Sequence, residues 1–309
     1  MTEAAGPVTG PKTGTGYLAL CCAVLLWGAN AVAARAVHDA VPLPALAFLR
    51  WSLTVAVLLP IAWPRLRREW PLIRQVPGLM VWLGLFGIAL FSLGLFGAAY
   101  LSSATTASLI NAIVPFAIIL LSPAFGAARP TPRQLLGLAI GLPGVFIIAC
   151  RGDVAGFFGQ GFDLGMVIGV GAAGVWACYT LLLRRVPSGI SQISVLTLSG
   201  LAGTVLLAPV YIAAGLAGGV WLIGVPDWQP YAVAILFIAL GPTLLGTLCW
   251  NIGVRAIGPA RAGIALYAIP AVAVIMAAAL LGERLAMYHA VGIALIALGI
   301  VATLERRAG

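Results

Sequence analysis

The chain carries the same passage twice, and that duplication restricts its possible folds more than any other feature. Trp27 and Arg35 recur as Trp176 and Arg184, and Pro60 as Pro209, each 149 residues on. Later landmarks recur after 155 residues: Pro115 as Pro270, Arg129 as Arg284, Gly137 as Gly292 and Gly144 as Gly299. Ten apolar runs accompany the repeat, near 17–37, 43–63, 77–99, 104–125, 132–150, 164–184, 191–214, 231–250, 262–282 and 287–304. Each is close to the roughly 20 residues a helix needs to cross a bilayer. Five per half is an odd number, so the second half enters from the other side and repeats the first upside down. Many secondary carriers use inverted repeats to build a midplane site that opens to either face. The expected fold is an all-α polytopic membrane protein, ten transmembrane helices in two inverted five-helix repeats around a central cavity.

Composition agrees. Charged residues are 8% of the 309 and hydrophobic ones 62%, with mean hydropathy +1.11, against roughly 25% charged in a soluble domain. The length leaves no room for a separate soluble domain. The spans must be helical, because unpaired backbone groups in hydrocarbon cost several kcal/mol each and no alternating barrel pattern is present. The five cysteines, Cys21, Cys22, Cys150, Cys178 and Cys249, lie in or at the end of apolar runs without metal-ligand spacing. They are expected to pack, not to ligate or to form disulfides. No cofactor or metal is expected.

The net charge of +9 comes from 17 basic residues, 16 of them Arg. Nucleic acid is not the expected partner, because the basic residues flank apolar segments, where they set topology. With the N-terminus inside, 13 of the 17 fall on the inner side: Lys12, Arg65, Arg67, Arg68, Arg74, Arg129, Arg133, Arg184, Arg185, Arg255, Arg261, Arg306 and Arg307. Arg35, Arg151 and Arg284 fall outside with His38, Asp39, Asp153, Asp163, Asp227 and Glu283. The expected division is a cytoplasmic tail 1–16, a first repeat 17–150, an external linker 151–163, a second repeat 164–304 and a cytoplasmic tail 305–309. The first helix is longer than a signal-peptide core and is expected to stay uncleaved. Trp221 and Trp228 in the outer loop 216–230 suit the membrane interface.

Intramembrane polar and aromatic residues are the candidates for a site. Trp27-Gly28-Ala29-Asn30 in the first helix is matched by Trp176-Ala177-Cys178-Tyr179 in the sixth, about ten residues into each span. A polar group there must face protein or water, so Asn30 and Tyr179 either line a substrate path or join helices. Arg50 sits inside the second span, and its counterpart is Ser199. It either meets an anion or carboxylate or pairs with helix-end carbonyls. Pro115 and Pro270 interrupt the fourth and ninth spans, each freeing a carbonyl one turn earlier, at Asn111 and Leu266. Paired breaks point to a carrier site, and packing kinks remain the alternative. Ser92, Tyr100, Ser108, Thr247, Trp250 and Tyr267 complete the candidate lining. Gly137-x-x-x-Gly141 and Gly165-x-x-x-Gly169 suit close helix packing.

Absences narrow the function. No Asp or Glu lies securely inside a span, so an obligatory carboxylate proton relay is unsupported. No phosphate loop, zincin motif or nucleophile elbow occurs, so neither ATP-driven pumping nor those enzyme chemistries is expected.

Trp27-Gly28-Ala29-Asn30, Phe48-Leu49-Arg50-Trp51 and Thr106-Ala107-Ser108 running to Pro115 resemble the drug/metabolite transporter superfamily, and within it the EamA-type ten-helix exporters. The second half adds Trp250, Arg255-Ala256-Ile257-Gly258-Pro259-Ala260-Arg261-Ala262, Pro270 and Gly282-Glu283-Arg284. The resemblance covers about 17 to 304, and the amino-acid exporter branch is closest. Gly282-Glu283 keeps the family's Gly-Glu ending, which the first half replaces with Ala127-Ala128. The small multidrug relatives depend on a Glu in the first helix, which 17–37 lacks. The resemblance implies export of small neutral or aromatic amino acids or related metabolites across a bacterial inner membrane by alternating access, and the lack of a buried acid points to a facilitator or exchanger. The alternatives are a carrier for nucleobases, sugars or organic anions, proton-coupled drug efflux, and a non-transporting membrane subunit. A monomer and a homodimer both remain open.

Overall fold

In the computed structural model, residues 13–37, 41–101, 104–127, 130–159, 163–218, 231–282 and 284–303 are described. Among them every regular element is a helix. Eight are long and apolar enough to span a membrane, and the apolar stretches Ile113–Phe125 and Met287–Thr303 are shorter. The first two helices are Thr13–Val37 and Leu43–Ile73; the third runs over 77–101, and the fourth is Ala104–Leu121 with a tight turn Ser122–Phe125. The fifth is Pro132–Ala149 and the sixth Leu164–Leu182. The seventh is Gln192–Gly218, the eighth Ala232–Ile257, the ninth runs over 259–281 and the tenth is Met287–Thr303. A short helix, Val154–Gly159, lies between the halves.

The second helix passes its expected end near residue 63. Its 31 residues span about 46 Å at 1.5 Å each, against about 30 Å of hydrocarbon. The extra turns carry Arg65, Arg67, Arg68 and Glu69, and the Arg67 guanidinium lies 4.9 Å from the Trp63 ring.

Packing partners carry the inverted symmetry. The first helix packs on the eighth and ninth, and the sixth packs on the third and fourth. The second pairs with the seventh and the fifth with the tenth. The fifth and tenth show the two-fold logic residue by residue. A Cβ built on Gly144 would sit 2.7 Å from the Gly292 carbonyl oxygen, and one on Gly299 2.7 Å from that of Gly137. Since Gly137 is equivalent to Gly292 and Gly144 to Gly299, each glycine meets its partner's equivalent, as an isologous contact requires. Small residues let these backbones touch where lipid offers no hydrophobic drive. Gly141 instead takes the ring of Tyr267.

The kinks are unequal. The fourth helix continues through Pro115, whereas the ninth breaks at Leu266 and Tyr267, just before Pro270, into Pro259–Ala265 and Ala268–Leu281. The freed Leu266 carbonyl accepts from the Ile269 amide at 3.0 Å. A deformation that run lengths do not reveal occurs at corresponding places in both halves: π-helical turns at Leu85–Leu90 in the third helix and Ala239–Gly246 in the eighth. Such turns are rare and occur often at functional sites.

Candidate functional site

Three side chains donate to carbonyls in and beside the eighth helix's π turn. Pro242 has no N–H, which orphans the Ile238 carbonyl one turn earlier, and the Thr243 hydroxyl donates to that oxygen at 2.7 Å. Thr54 in the second helix donates to the Ala239 carbonyl at 2.8 Å. Trp27 in the first helix donates through Nε1 to the Pro242 carbonyl at 3.0 Å. The π turn of the third helix is approached from the sixth helix, the equivalent of the first, but by a different residue, because Gly87 lies against the Tyr179 ring. A side chain at Gly87 would collide with that ring.

These approaches gather an aromatic cluster at the centre of the bundle. Trp27 meets Trp176 edge-on at 5.7 Å between ring centroids and lies 5.5 Å from Trp250. Trp176 also lies 4.6 Å from Phe91 and 5.0 Å from Tyr179. Edge-to-face and tilted contacts at these separations suit the ring quadrupoles. Above the cluster is a cavity of about 210 Å³ walled by both halves. It includes Trp27, Asn30, Arg50, Trp176 and Thr247 from the sequence candidates, together with Trp51, Phe91, Pro242 and Thr243.

Its polar groups are few. The Arg50 guanidinium donates to the Ser92 hydroxyl at 3.2 Å, joining the second and third helices. Asn30 Oδ1 and Trp51 Nε1 are buried without a protein hydrogen-bond partner. The cavity therefore presents a cation, an indole donor and an amide acceptor over aromatic faces. Among its described lining residues none is acidic.

Toward the face that carries the helix ends near residues 73, 125, 185 and 257, here the N-terminal face, the bundle is closed. Tyr179 donates to Asn251 Oδ1 at 2.7 Å, and both are buried. Trp250 is fully buried behind Trp27. Nearer that face, Arg255 donates to the Ile190 carbonyl at 3.0 Å. Glu69 accepts from the Ser191 amide and hydroxyl at 3.1 and 3.2 Å, tying the second helix to the start of the seventh.

The structure thus separates the candidates. Trp27, Asn30, Arg50, Trp176 and Thr247 wall the cavity, and Ser92 braces Arg50. Tyr179 and Trp250 form its closed floor. Tyr267 is fully buried and turned toward Gly141 of the fifth helix, outside the cavity lining. Pro115 packs near Gly263 of the ninth helix. The side chains of Arg35, Tyr100, Ser108 and Asn111, and residues Trp221, Trp228 and Glu283, lie outside the described residues. Trp51 and Phe91 were missed because a lipid-facing and a cavity-facing aromatic look alike in sequence. The Pro242-Thr243 pair in the middle of an apolar span was the signal for the eighth helix's π turn.

Two inverted five-helix halves enclosing a polar-aromatic midplane cavity define a polytopic membrane transporter. Residues 14–150 and 163–304 each match the EamA-like transporter family, and the chain belongs to that family. It is a carrier of small molecules, not an enzyme. Similar proteins include an uncharacterized transporter of Archaeoglobus fulgidus, 27% identical and covering 94% of this chain and 99% of the relative. A probable terminal-alkyne amino-acid exporter of Streptantibioticus cattleyicolor is 28% identical over 86% and 85% of the two chains. The aromatic amino acid exporter YddG of Ancylobacter novellus is 27% identical over 82% and 84%. A solved crystal structure, 24% identical, superposes with a TM-score of 0.73 over 94% of this chain and 96% of its own and shares the fold.

Proposed function

We propose that this transporter exports small neutral or aromatic amino acids, or closely related carboxylate-bearing metabolites, by alternating access. The observation that carries the reading is the cavity itself, which Arg50, held by Ser92, and Asn30 line together with Trp27, Phe91 and Trp176. A guanidinium matches a carboxylate in a bidentate fork, and the nearby Trp51 indole adds a donor. Asn30 Oδ1 offers an acceptor to an ammonium group, and tryptophan faces attract the same cation. The aromatic floor suits an apolar side chain. The cavity's 210 Å³ is below the roughly 300–1,000 Å³ of drug-sized pockets, which favours metabolites over large drugs. Two relatives named as amino-acid exporters lend support.

In this reading the halves 17–150 and 164–304, joined by 151–163, rock against each other. The Tyr179–Asn251 bond and the Arg255 and Glu69 contacts hold the N-terminal face shut while the cavity is reached from the other side. The excess of Arg at the N-terminal face fits the cytoplasmic side of a bacterial inner membrane, with both ends inside. With no acid in the described cavity lining, transport proceeds as facilitated diffusion or exchange.

Counterflow in proteoliposomes tests the proposal, using labelled phenylalanine, leucine, a nucleobase, an organic acid and a quaternary ammonium cation. Saturable exchange of the amino acids, unaltered by collapsing a proton gradient, is expected. Exchange of the organic acid alone would restrict the site to simple carboxylates. Flux of the cation alone would sink the amino-acid reading.

A further inference from the structure

A second cavity is larger than the central one. A cleft of about 650 Å³ runs between the first, ninth and tenth helices, with Thr13, Arg261 and Thr303 among its lining. It uses the opposite side of the ninth helix from the central cavity: Ile264 and Ala268 line the cleft, whereas Leu266 and Ile269 line the central site.

The chemistry of the cleft changes with depth. Arg261, Tyr17 and Thr303 stand at its outer end, near the ends of their helices. Leu20, Val24 and Ile264 line the part that reaches into the membrane. A translocation site concentrates its polar groups at the midplane. This cleft does the reverse, with a cation and hydroxyls at interfacial depth and hydrocarbon below. Its extent along the first helix, from residue 13 to residue 24, is about 16 Å at 1.5 Å per residue. The part from residue 17 inward, about 10 Å, lies within one leaflet of a hydrocarbon core roughly 30 Å thick.

We infer that this cleft is a binding site for one anionic phospholipid of the leaflet at the N-terminal face, phosphate at Arg261 and an acyl chain along Leu20 and Val24. Charge complementarity carries the choice of occupant. Basic pockets between transmembrane helices bind anionic headgroups. The same face carries Arg65, Arg67, Arg68, Arg74, Arg133, Arg184 and Arg185, which favours anionic lipid around the molecule. A zwitterionic lipid gains less from Arg261, because its headgroup carries its own cation. The pseudo-symmetry offers a further argument, since the equivalents of Tyr17 and Arg261 in the other half are Met166 and Thr106. The Tyr17 and Arg261 pair is therefore not repeated in the sequence of the other half.

The full-length protein, stripped of lipid in detergent, is mixed with phosphatidylglycerol or phosphatidylcholine and read by native mass spectrometry and thermal melting. One retained phosphatidylglycerol and a raised melting temperature are expected, with phosphatidylcholine giving neither. Arg261→Gln is expected to lower phosphatidylglycerol retention about fivefold, as loss of one interfacial cation predicts. Ala265→Phe, which fills the cleft, is expected to remove it. Unchanged melting in phosphatidylcholine shows that each variant is folded. Equal retention of the two lipids, or retention indifferent to both substitutions, overturns the inference. Equal protection by soluble glycerol phosphate would make the cleft a free-phosphate site and also overturn it. Lipid-free dimers that Ala265→Phe splits would assign the cleft to a second copy of the chain instead.

Discussion

The two ends of the central cavity are built on equivalent backbone and cross-linked by different chemistry. Toward one face, Arg50 on the second helix holds Ser92 on the third. The equivalent residues near the N-terminal face are Ser199 and Thr247. They do not repeat the bond: the Ser199 hydroxyl turns to the Leu196 carbonyl of its own helix, and Thr247 lines the cavity. At the N-terminal end, Tyr179 on the sixth helix holds Asn251 on the eighth, and their equivalents in the other half are Asn30 and Phe96, residue types that cannot form that pair. One end is held by a neutral, buried hydrogen bond, and the other carries Arg50, the one charged residue among the described cavity lining. Duplication supplied the equivalent backbone, and divergence at these four pairs gave the ends different side-chain bonds.

That contrast can be broken from either side. Arg50→Leu should have the largest effect, because truncating a buried, hydrogen-bonded charge costs about 2–5 kcal/mol, roughly 30- to several-thousand-fold in counterflow of a carboxylate substrate. Arg50→Lys should recover only part, since a point charge lacks the planar fork; full activity in the leucine variant would remove the cation from the site. Trp27→Ala should follow, with a loss of about 30-fold, as for an aromatic anchor worth about 2 kcal/mol. Trp27→Phe keeps a ring and forfeits only the bond to Pro242, so it should retain more, and equal losses would show that the bond matters more than the ring.

Tyr179→Phe attacks the closed end instead. Losing one hydrogen bond worth about 1 kcal/mol should raise the population open to the N-terminal face about fivefold. The readout is faster alkylation of Cys249 by a membrane-impermeant maleimide added to that face. An unchanged rate would mean the pair is not a gate. Ser92→Ala should raise KM only about threefold, because Arg50 remains and loses one neutral partner. Glu69→Gln should change transport by less than about twofold, since contacts near the water contribute little; a larger effect would move the gate outward to Ser191.

Much of the fold was legible because bilayer thickness converts directly into run length. The second helix overran its expected end because a helix does not stop where the hydrocarbon does. The site was legible where burial makes a residue costly: Trp27, Asn30, Trp176 and Arg50 were visible as polar or bulky groups deep in apolar spans. Tyr267 has the same signature and packs on Gly141, because a helix position does not reveal which neighbour its face meets. Pro115 and Pro270 look alike in sequence, yet only the ninth helix breaks.

The sequence by itself determined the membrane, the number of helices, their inversion and the family resemblance. These depend on apolar length, on repeat spacing and on loop charge, all of which are local or additive along the chain. Only the tertiary structure decided which polar groups share a cavity, where the π turns lie, and which end is shut. The Trp27 bond to Pro242 and the Tyr179 bond to Asn251 join residues 215 and 72 positions apart. Such pairings exist only once ten helices have chosen their rotations, and no periodicity along one helix encodes that choice.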